Sequence, residues 1–199
     1  MSEKGNGIVV IAAIVIAALV YYIFVLRPAD REPTRPVDRG TVDNYLAETP
    51  ALPGKQYMRE GDPAPDFIYP DINNKIICLS DFIGRKYVVL CFWATWDSDC
   101  QNELPILQKF YYIHNRKVEV IAVTSEDTEM WETIMDTARA KQLGFTVIHD
   151  PSSIISNAYA HQEIPFLVFI DKEGKIVSTE TGFNPAVDVT IPRIFDLKR

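Results

Sequence analysis

The chain has 199 residues, a net charge of −7 and no basic stripe or cluster after Arg39, a balance that argues against a nucleic-acid partner. Its three cysteines, Cys78, Cys91 and Cys100, are an odd number in no ligand-like spacing, which excludes a disulfide framework. His114, His149 and His161 are scattered, so no zinc or copper site and no cofactor is expected.

Residues 1–7 are a short N-terminal flank. Residues 8–26 read IVVIAAIVIAALVYYIFVL, nineteen apolar or aromatic residues without a charge. At about 1.5 Å per residue the run spans roughly 28 Å, close to the hydrocarbon thickness of a bilayer. Tyr21 and Tyr22 suit an interfacial position. A cleaved signal peptide is the competing reading. Its apolar region is usually shorter and ends in a small-x-small site, whereas Arg27-Pro28 follows here. An uncleaved single-span anchor is therefore expected. Arg27, Arg31, Arg35 and Arg39 outnumber Lys4 on the other side, and on charge alone they lean toward a cytoplasmic domain. Residues 27–60 carry Pro28, Pro33, Pro36, Pro50 and Pro53 among charged and small residues, the composition of a semi-extended tether. Within it, residues 41–48 are compatible with a short helix.

From Gly61 to the C-terminus the pattern is that of one α/β domain. Residues 66–69 and 75–79 read as short strands around an Asn73-Asn74 turn. Residues 87–94 (YVVLCFWA) form a continuous apolar run, as in a central buried strand. A helix over 98–115 follows, with a kink expected at Pro105. Residues 118–124 (VEVIAVT) are a second buried strand. Helical periodicity over 128–143 ends at Gly144, a natural C-cap. A strand over 145–149 and a helix over 152–159 come next. Residues 166–171 and 175–181 make a hairpin across Lys172-Glu173-Gly174, and a last helix over 185–197 is bent by Pro192. Strands alternating with helices imply a central mixed sheet flanked by helices, in a domain large enough to bury its own core.

The chemistry concentrates in Phe92-Trp93-Ala94-Thr95-Trp96-Asp97-Ser98-Asp99-Cys100, where a strand gives way to a helix. Disulfide exchange through C-x-x-C needs a first thiolate to attack and a second to resolve the mixed disulfide. Here the spacing is D-x-x-C. Asp97 is read first as a helix N-cap, with Ser98 and Gln101 offering a competing capping box; a ligand or acid–base role is the other reading. Cys100 gains from the helix N-terminus but is opposed by burial and by the nearby carboxylate, so a weakly reactive, half-buried thiol is expected. Cys91 reads as a buried core cysteine, with a Cys91–Cys100 bond as the alternative, and Cys78 reads as structural. Trp93 and Trp96 suit either packing at the strand end or a recognition surface.

Gly61-Asp62-Pro63-Ala64-Pro65-Asp66-Phe67, Leu79-Ser80-Asp81-Phe82, Gly84, FWATW and Glu103-Leu104-Pro105 occur in that order. Ile164-Pro165, Phe166 to Asp171 and Gly174 follow. Over residues 60–182 the chain resembles the TlpA/ResA-type branch of the thioredoxin superfamily. The resemblance implies a thioredoxin-like fold with a cis Ile164–Pro165 bond beside Asp97 and Cys100. It also implies a groove of Trp93, Trp96, Ile164 and Pro165 that meets thiol- or disulfide-containing proteins or peptides, and an extracytoplasmic domain tethered to the membrane. Asp97 stands where the family keeps its attacking cysteine, and Cys91 stands where many thioredoxins keep a buried carboxylate. A carboxylate forms no mixed disulfide, so the expected role is a binding module impaired in dithiol chemistry. Two other readings remain: a one-cysteine thiol peroxidase using Cys100, and a C-x-x-x-C type copper chaperone, weakened by the missing cysteine.

Overall fold

The computed structural model describes residues 58–161 and 163–197. The apolar run 8–26, the short helix at 41–48 and all of the tether before residue 58 lie outside the described residues. Among those described, no helix is long and apolar enough to cross a membrane.

Two short strands, β1 (Ile68–Pro70) and β2 (Ile76–Cys78), pair antiparallel. The Asp71 carboxylate shapes their turn by accepting from the Asn73 and Lys75 amides, each at 2.8 Å. Asn74 takes the left-handed conformation at φ 59° that such a turn requires. Five further strands build the main sheet: β3 (Tyr87–Phe92), β4 (Val118–Thr124), β5 (Thr146–His149), β6 (Phe166–Ile170) and β7 (Ile176–Thr181). Their order is β5-β4-β3-β6-β7. The neighbours of β3 explain its apolar run: β4 pairs with it in parallel and β6 antiparallel, leaving it no free edge. Every residue of β4 is buried, including Glu119, which is satisfied by Lys86 Nζ at 2.7 Å and the Tyr111 hydroxyl at 3.2 Å.

Side-chain alternation along β3 divides the core in two. Val89 and Cys91 point to a cluster with Leu104, Leu107 and Phe110 of α1 (Ser98–His114), Ile134 of α2 (Trp131–Ala140), and Val187 and Ile191 of α4 (Val187–Ile194). Val88, Leu90 and Phe92 point to the other face, toward Phe67, Ile77 of β2, and Ile155 and Ala158 of α3 (Ile154–Ala158). Helices thus cover one face of the sheet, and β1, β2 and α3 cover the other.

Several boundaries differ from the sequence-based expectation, each for a local reason. The third strand ends at Phe92, two residues before Ala94, because the chain leaves the ladder to build the loop ahead of α1. The last helix spans only Val187–Ile194 of the expected 185–197. Helix α3 is also short, because Asp150 and the left-handed Ser153 (φ 54°) start it late. The buried Asp150 carboxylate accepts from the amides of Ile154, Ile155 and Ser156. The expected helix over 128–143 is a 3-10 turn at Thr128–Met130 followed by α2, and it does not end on Gly144. Gln142 takes the left-handed position at φ 51° instead. The Gln142 amide bonds Arg139 O at 3.0 Å and the Leu143 amide bonds Ala138 O at 2.9 Å, a Schellman motif. Gly144 serves a close approach: its amide donates to Gln108 Oε1 at 2.7 Å, and a Cβ there would meet Gln108 at 3.3 Å.

Helix α1 runs as one element through Pro105. Proline lacks the amide that would bond the carbonyl four residues earlier, here Gln101 O. The Lys141 ammonium donates to that freed carbonyl at 2.7 Å, tying α1 to the end of α2.

Candidate functional site

The loop between β3 and α1 is held from both sides. Glu126, two residues past the end of the neighbouring β4, accepts from the Thr95 amide at 2.8 Å and the Thr95 hydroxyl at 2.6 Å. The Gln101 side chain reaches back to Thr95 O at 3.0 Å. That contact uses the group the competing Ser98–Gln101 capping box needed, and the box does not form. Asp97 is the N-cap, as first read, in extended backbone (φ −87°, ψ 122°), with Oδ1 accepting from the Cys100 amide at 2.7 Å.

The Cys100 thiol is less accessible than the half-buried group expected, with 0% of its surface exposed. Burial is the largest influence on it and pushes its pKa well above the ordinary thiol value. The thiol also donates to the Asp97 carboxylate, which favours the protonated form. The Ala94 backbone works in the opposite direction, and the charges of Asp97 and Glu103 add to the upward shift. The carboxylate effect expected from sequence is present, but desolvation leads it. Cys91 lies in the same core cluster, its pKa raised first by burial, then by Glu103 and Cys100. Cys78, Cys91 and Cys100 are all free thiols, so no Cys91–Cys100 bond is present.

The aromatic residues separate. Trp93 is buried, with its indole Nε1 unpartnered, whereas Trp96 is 72% exposed. The Ile164–Pro165 peptide is cis. Because Phe166 pairs with Phe92, Pro165 and Trp93 leave the sheet at the same end. A cavity of about 210 Å³ opens there, lined by Trp93, Ala94, Trp96, Ile164, Glu126 and His161 among others. The His161 ring lies 4.5 Å from Phe92 and 5.7 Å from Phe166, and burial lowers its pKa. Neither His161 nor Glu126 stood out in the sequence. Among the described residues, no cluster of metal-binding side chains forms.

Glu103 was visible in the sequence only as part of a motif. It sits one helical turn beyond Cys100, on the stripe of Cys100, Leu104 and Leu107 that α1 turns into the core. A carboxylate on an apolar stripe at that spacing was the signal available for it. Both of its oxygens are buried without a hydrogen-bond partner. Burial, then the charges of Glu180 and Asp99, raise its pKa to about 8. The folded protein therefore keeps a proton that the unfolded chain releases near 4.5, and stability falls as pH rises from 4.5 to about 8. Glu103→Gln is expected to flatten that part of the profile. Denaturant midpoints across the window check it, and a slope that survives the substitution would assign the effect elsewhere.

Comparison with known proteins agrees with this architecture. The AhpC/TSA family model matches residues 60–179. The thiol-disulfide oxidoreductase ResA of Bacillus subtilis (strain 168) is 32% identical over 139 residues, 69% of this chain and 76% of ResA. ResA of Bacillus anthracis is 33% identical over 129 residues, 64% and 73% of the two chains. The crystal structure of a thiol:disulfide interchange protein DsbE from Chlorobium tepidum superposes with a TM-score of 0.63 at 28% identity, covering 69% of this chain and 95% of that one. StoA from Bacillus subtilis gives 0.55 at 26% identity, over 65% and 96%. Motif order, sheet topology and these matches agree, and the chain belongs to the AhpC/TSA family as a thioredoxin-like homologue of the ResA-type thiol-disulfide oxidoreductases.

Proposed function

We propose that this protein is a membrane-anchored, extracytoplasmic binding module for thiol- or disulfide-containing proteins or peptides, with dithiol exchange disabled at Asp97. In this reading residues 8–26 are the anchor, 27–60 the tether and 61–199 the working domain. The observation that carries it is the Asp97–Cys100 pair. The carboxylate that replaces an attacking thiol caps the helix and also holds the single remaining thiol, itself fully buried, in its protonated form. Trp93, Trp96 and Ile164 of the expected groove line one cavity. Exposed Trp96, the cavity and the cis-proline loop supply an apolar, sequence-tolerant surface of the kind that accepts an extended segment. The names of the relatives, thiol-disulfide oxidoreductase and thiol:disulfide interchange protein, point to the same class of partner. A peroxidase reaction at Cys100 fits less well, because it begins from an accessible thiolate.

The test uses the full chain in detergent. Reduction of a protein disulfide should run no faster than with a variant lacking all three cysteines. A cysteine-containing peptide should still quench the fluorescence of wild type, and Trp96→Ala should weaken its binding. Turnover well above the thiol-free control would overturn the proposal. So would a groove that takes up no peptide.

A further inference from the structure

The outer face of the helical layer carries apolar surface that the groove does not use. Lys109, Tyr112 and Ile113, at i, i+3 and i+4, form one outward stripe near the end of α1, and exposed Arg116 follows just past its C-cap. Tyr112 is 79% exposed and Ile113 66%, although large apolar side chains on a packed helix usually turn inward. The neighbouring helix continues the patch. Asp188 of α4 lies 3.9 Å from Lys109, Val189 beside it is 48% exposed, and exposed Arg193 stands one turn further on. Between Glu103 and Glu119, both buried, the chain carries Lys109, Arg116 and Lys117 and no acid. The acids of this face are Asp188, set against Lys109, and Asp196, just beyond α4.

The patch lies toward the end of the sheet where the tether arrives. Phe195, just past α4, stacks on Tyr87 at the start of β3 with ring centroids 4.5 Å apart, and Lys172 Nζ lies 5.3 Å from the same ring. The chain enters beside them. The Gly61 amide donates to Ile176 O at 2.8 Å and the Ala64 amide to Gly174 O at 2.9 Å, at the start of β7. The opposite end of the sheet, where the groove opens, has the other charge. Its segments 93–103, 125–136 and 156–166 include Asp97, Asp99, Asp127, Glu129, Glu132 and Glu163 and contain no Lys or Arg. Residues 27–57, between the proposed anchor and Met58, would reach on the order of 30 Å as a coil and about 100 Å fully extended, so the bilayer stays within reach of the domain. A tethered surface meets the patch at high effective concentration, and a few weak contacts then suffice.

We propose that this face, Lys109, Tyr112, Ile113 and Arg116 at the end of α1 with Val189 and Arg193 of α4, rests on the anionic surface of the bilayer that holds the anchor. Tyr112, Ile113 and Val189 enter the headgroup layer, and the cations pair with lipid phosphates. The acidic segments are repelled by the same surface, which turns the groove away from it and leaves Trp96 open to a partner. The inference rests on the anchored reading above and adds to it the direction in which the domain faces.

The full chain in lipid vesicles tests the contact with a fluorescent dye that lipid-borne nitroxide quenches. Ile113→Cys carries the dye in a background with Cys78 and Cys91 changed to serine and Cys100 fully buried. Lys75→Cys, at the exposed turn between β1 and β2 over the opposite face, is the control. In floated vesicles of phosphatidylcholine with phosphatidylglycerol, the nitroxide lipid should quench the dye at 113 and spare the one at 75. Arg116→Glu and Arg193→Glu, one for each helix, should each lower the quenched fraction about tenfold, and phosphatidylcholine alone should lower it at least as much. Equal quenching at the two positions, or quenching at 113 that survives in both variants, overturns the proposal. So does a dye response that grows with protein concentration in detergent, which assigns the face to a second copy of this chain. A chain that stays out of the floated vesicles sinks the anchor and this contact together, whereas one that floats with position 113 in water sinks this contact alone. A groove that takes up no peptide sinks the binding reading and leaves the contact in place.

Discussion

Asp97→Cys should convert the full chain from background-level disulfide reduction to measurable turnover, roughly tenfold or more above the wild-type rate. The expectation rests on what the site already holds in place. Glu126 and Gln101 fix the loop through Thr95, so a thiol at position 97 starts at the cap of a formed helix, with Cys100 one turn away. The cis Ile164–Pro165 peptide and the cavity lined by Trp93, Trp96 and Ile164 remain in place. The substitution also removes two influences that raise the Cys100 pKa, the hydrogen bond to Asp97 and its charge. It costs the N-cap, about 1 kcal/mol of stability, which a folded domain should tolerate. Turnover is followed as reduction of a protein disulfide with a chemical reductant present, against Asp97→Ser as a thiol-free control at that position. If the new C-x-x-C pair is inert, Asp97 is not what disables the site. Burial of Cys100 or the acid beneath it would then be the obstacle.

Sequence reading reached the sheet more easily than the site. The strands at 118–124 and 166–171 were legible because burial on both faces writes a mostly apolar run, Glu119 being the exception inside the first. The cap at Asp97 was legible because an extended acid before a helix has few other uses. Gly144 misled because glycine ends helices often, yet here Gln142 accepts the left-handed turn and Gly144 lies close against the Gln108 side chain. Glu180 was out of reach for a different reason. On an outer strand it reads as a solvent-facing residue, and only its pairing with Leu167 places it over the core. Glu103 lay between these cases: its position on the buried stripe of α1 was there to be counted, but its lack of a partner was not. Periodicity reports which face a residue occupies, whereas the chemistry of a buried acid depends on what meets it across the sheet.

Asp97→Asn should make Cys100 a faster nucleophile without loosening the fold, and the comparison with Asp97→Ala separates the two functions of the carboxylate. Asparagine caps helices about as well as aspartate, so its oxygen can still accept from the Cys100 amide and stability should fall by only a few tenths of a kcal/mol. Alanine removes the cap and should cost about 1 kcal/mol. Both variants abolish the charge, and both should lower the Cys100 pKa. Each unit of decrease raises the thiolate fraction by about tenfold at a pH below the titration, and the alkylation rate by about threefold, because a less basic thiolate is the weaker nucleophile. The pKa should not fall to the ordinary thiol value, because burial, the leading cause of the shift, is untouched and Glu103 still opposes the thiolate. Alkylation rate against pH in a background with Cys78 and Cys91 changed to serine reports the thiol alone. A Cys100 profile that stays in place or moves upward in both variants would mean that Asp97 does not govern the thiol. The acid-silenced site would then be abandoned, and a one-cysteine reaction at Cys100 would become the better account of this fold.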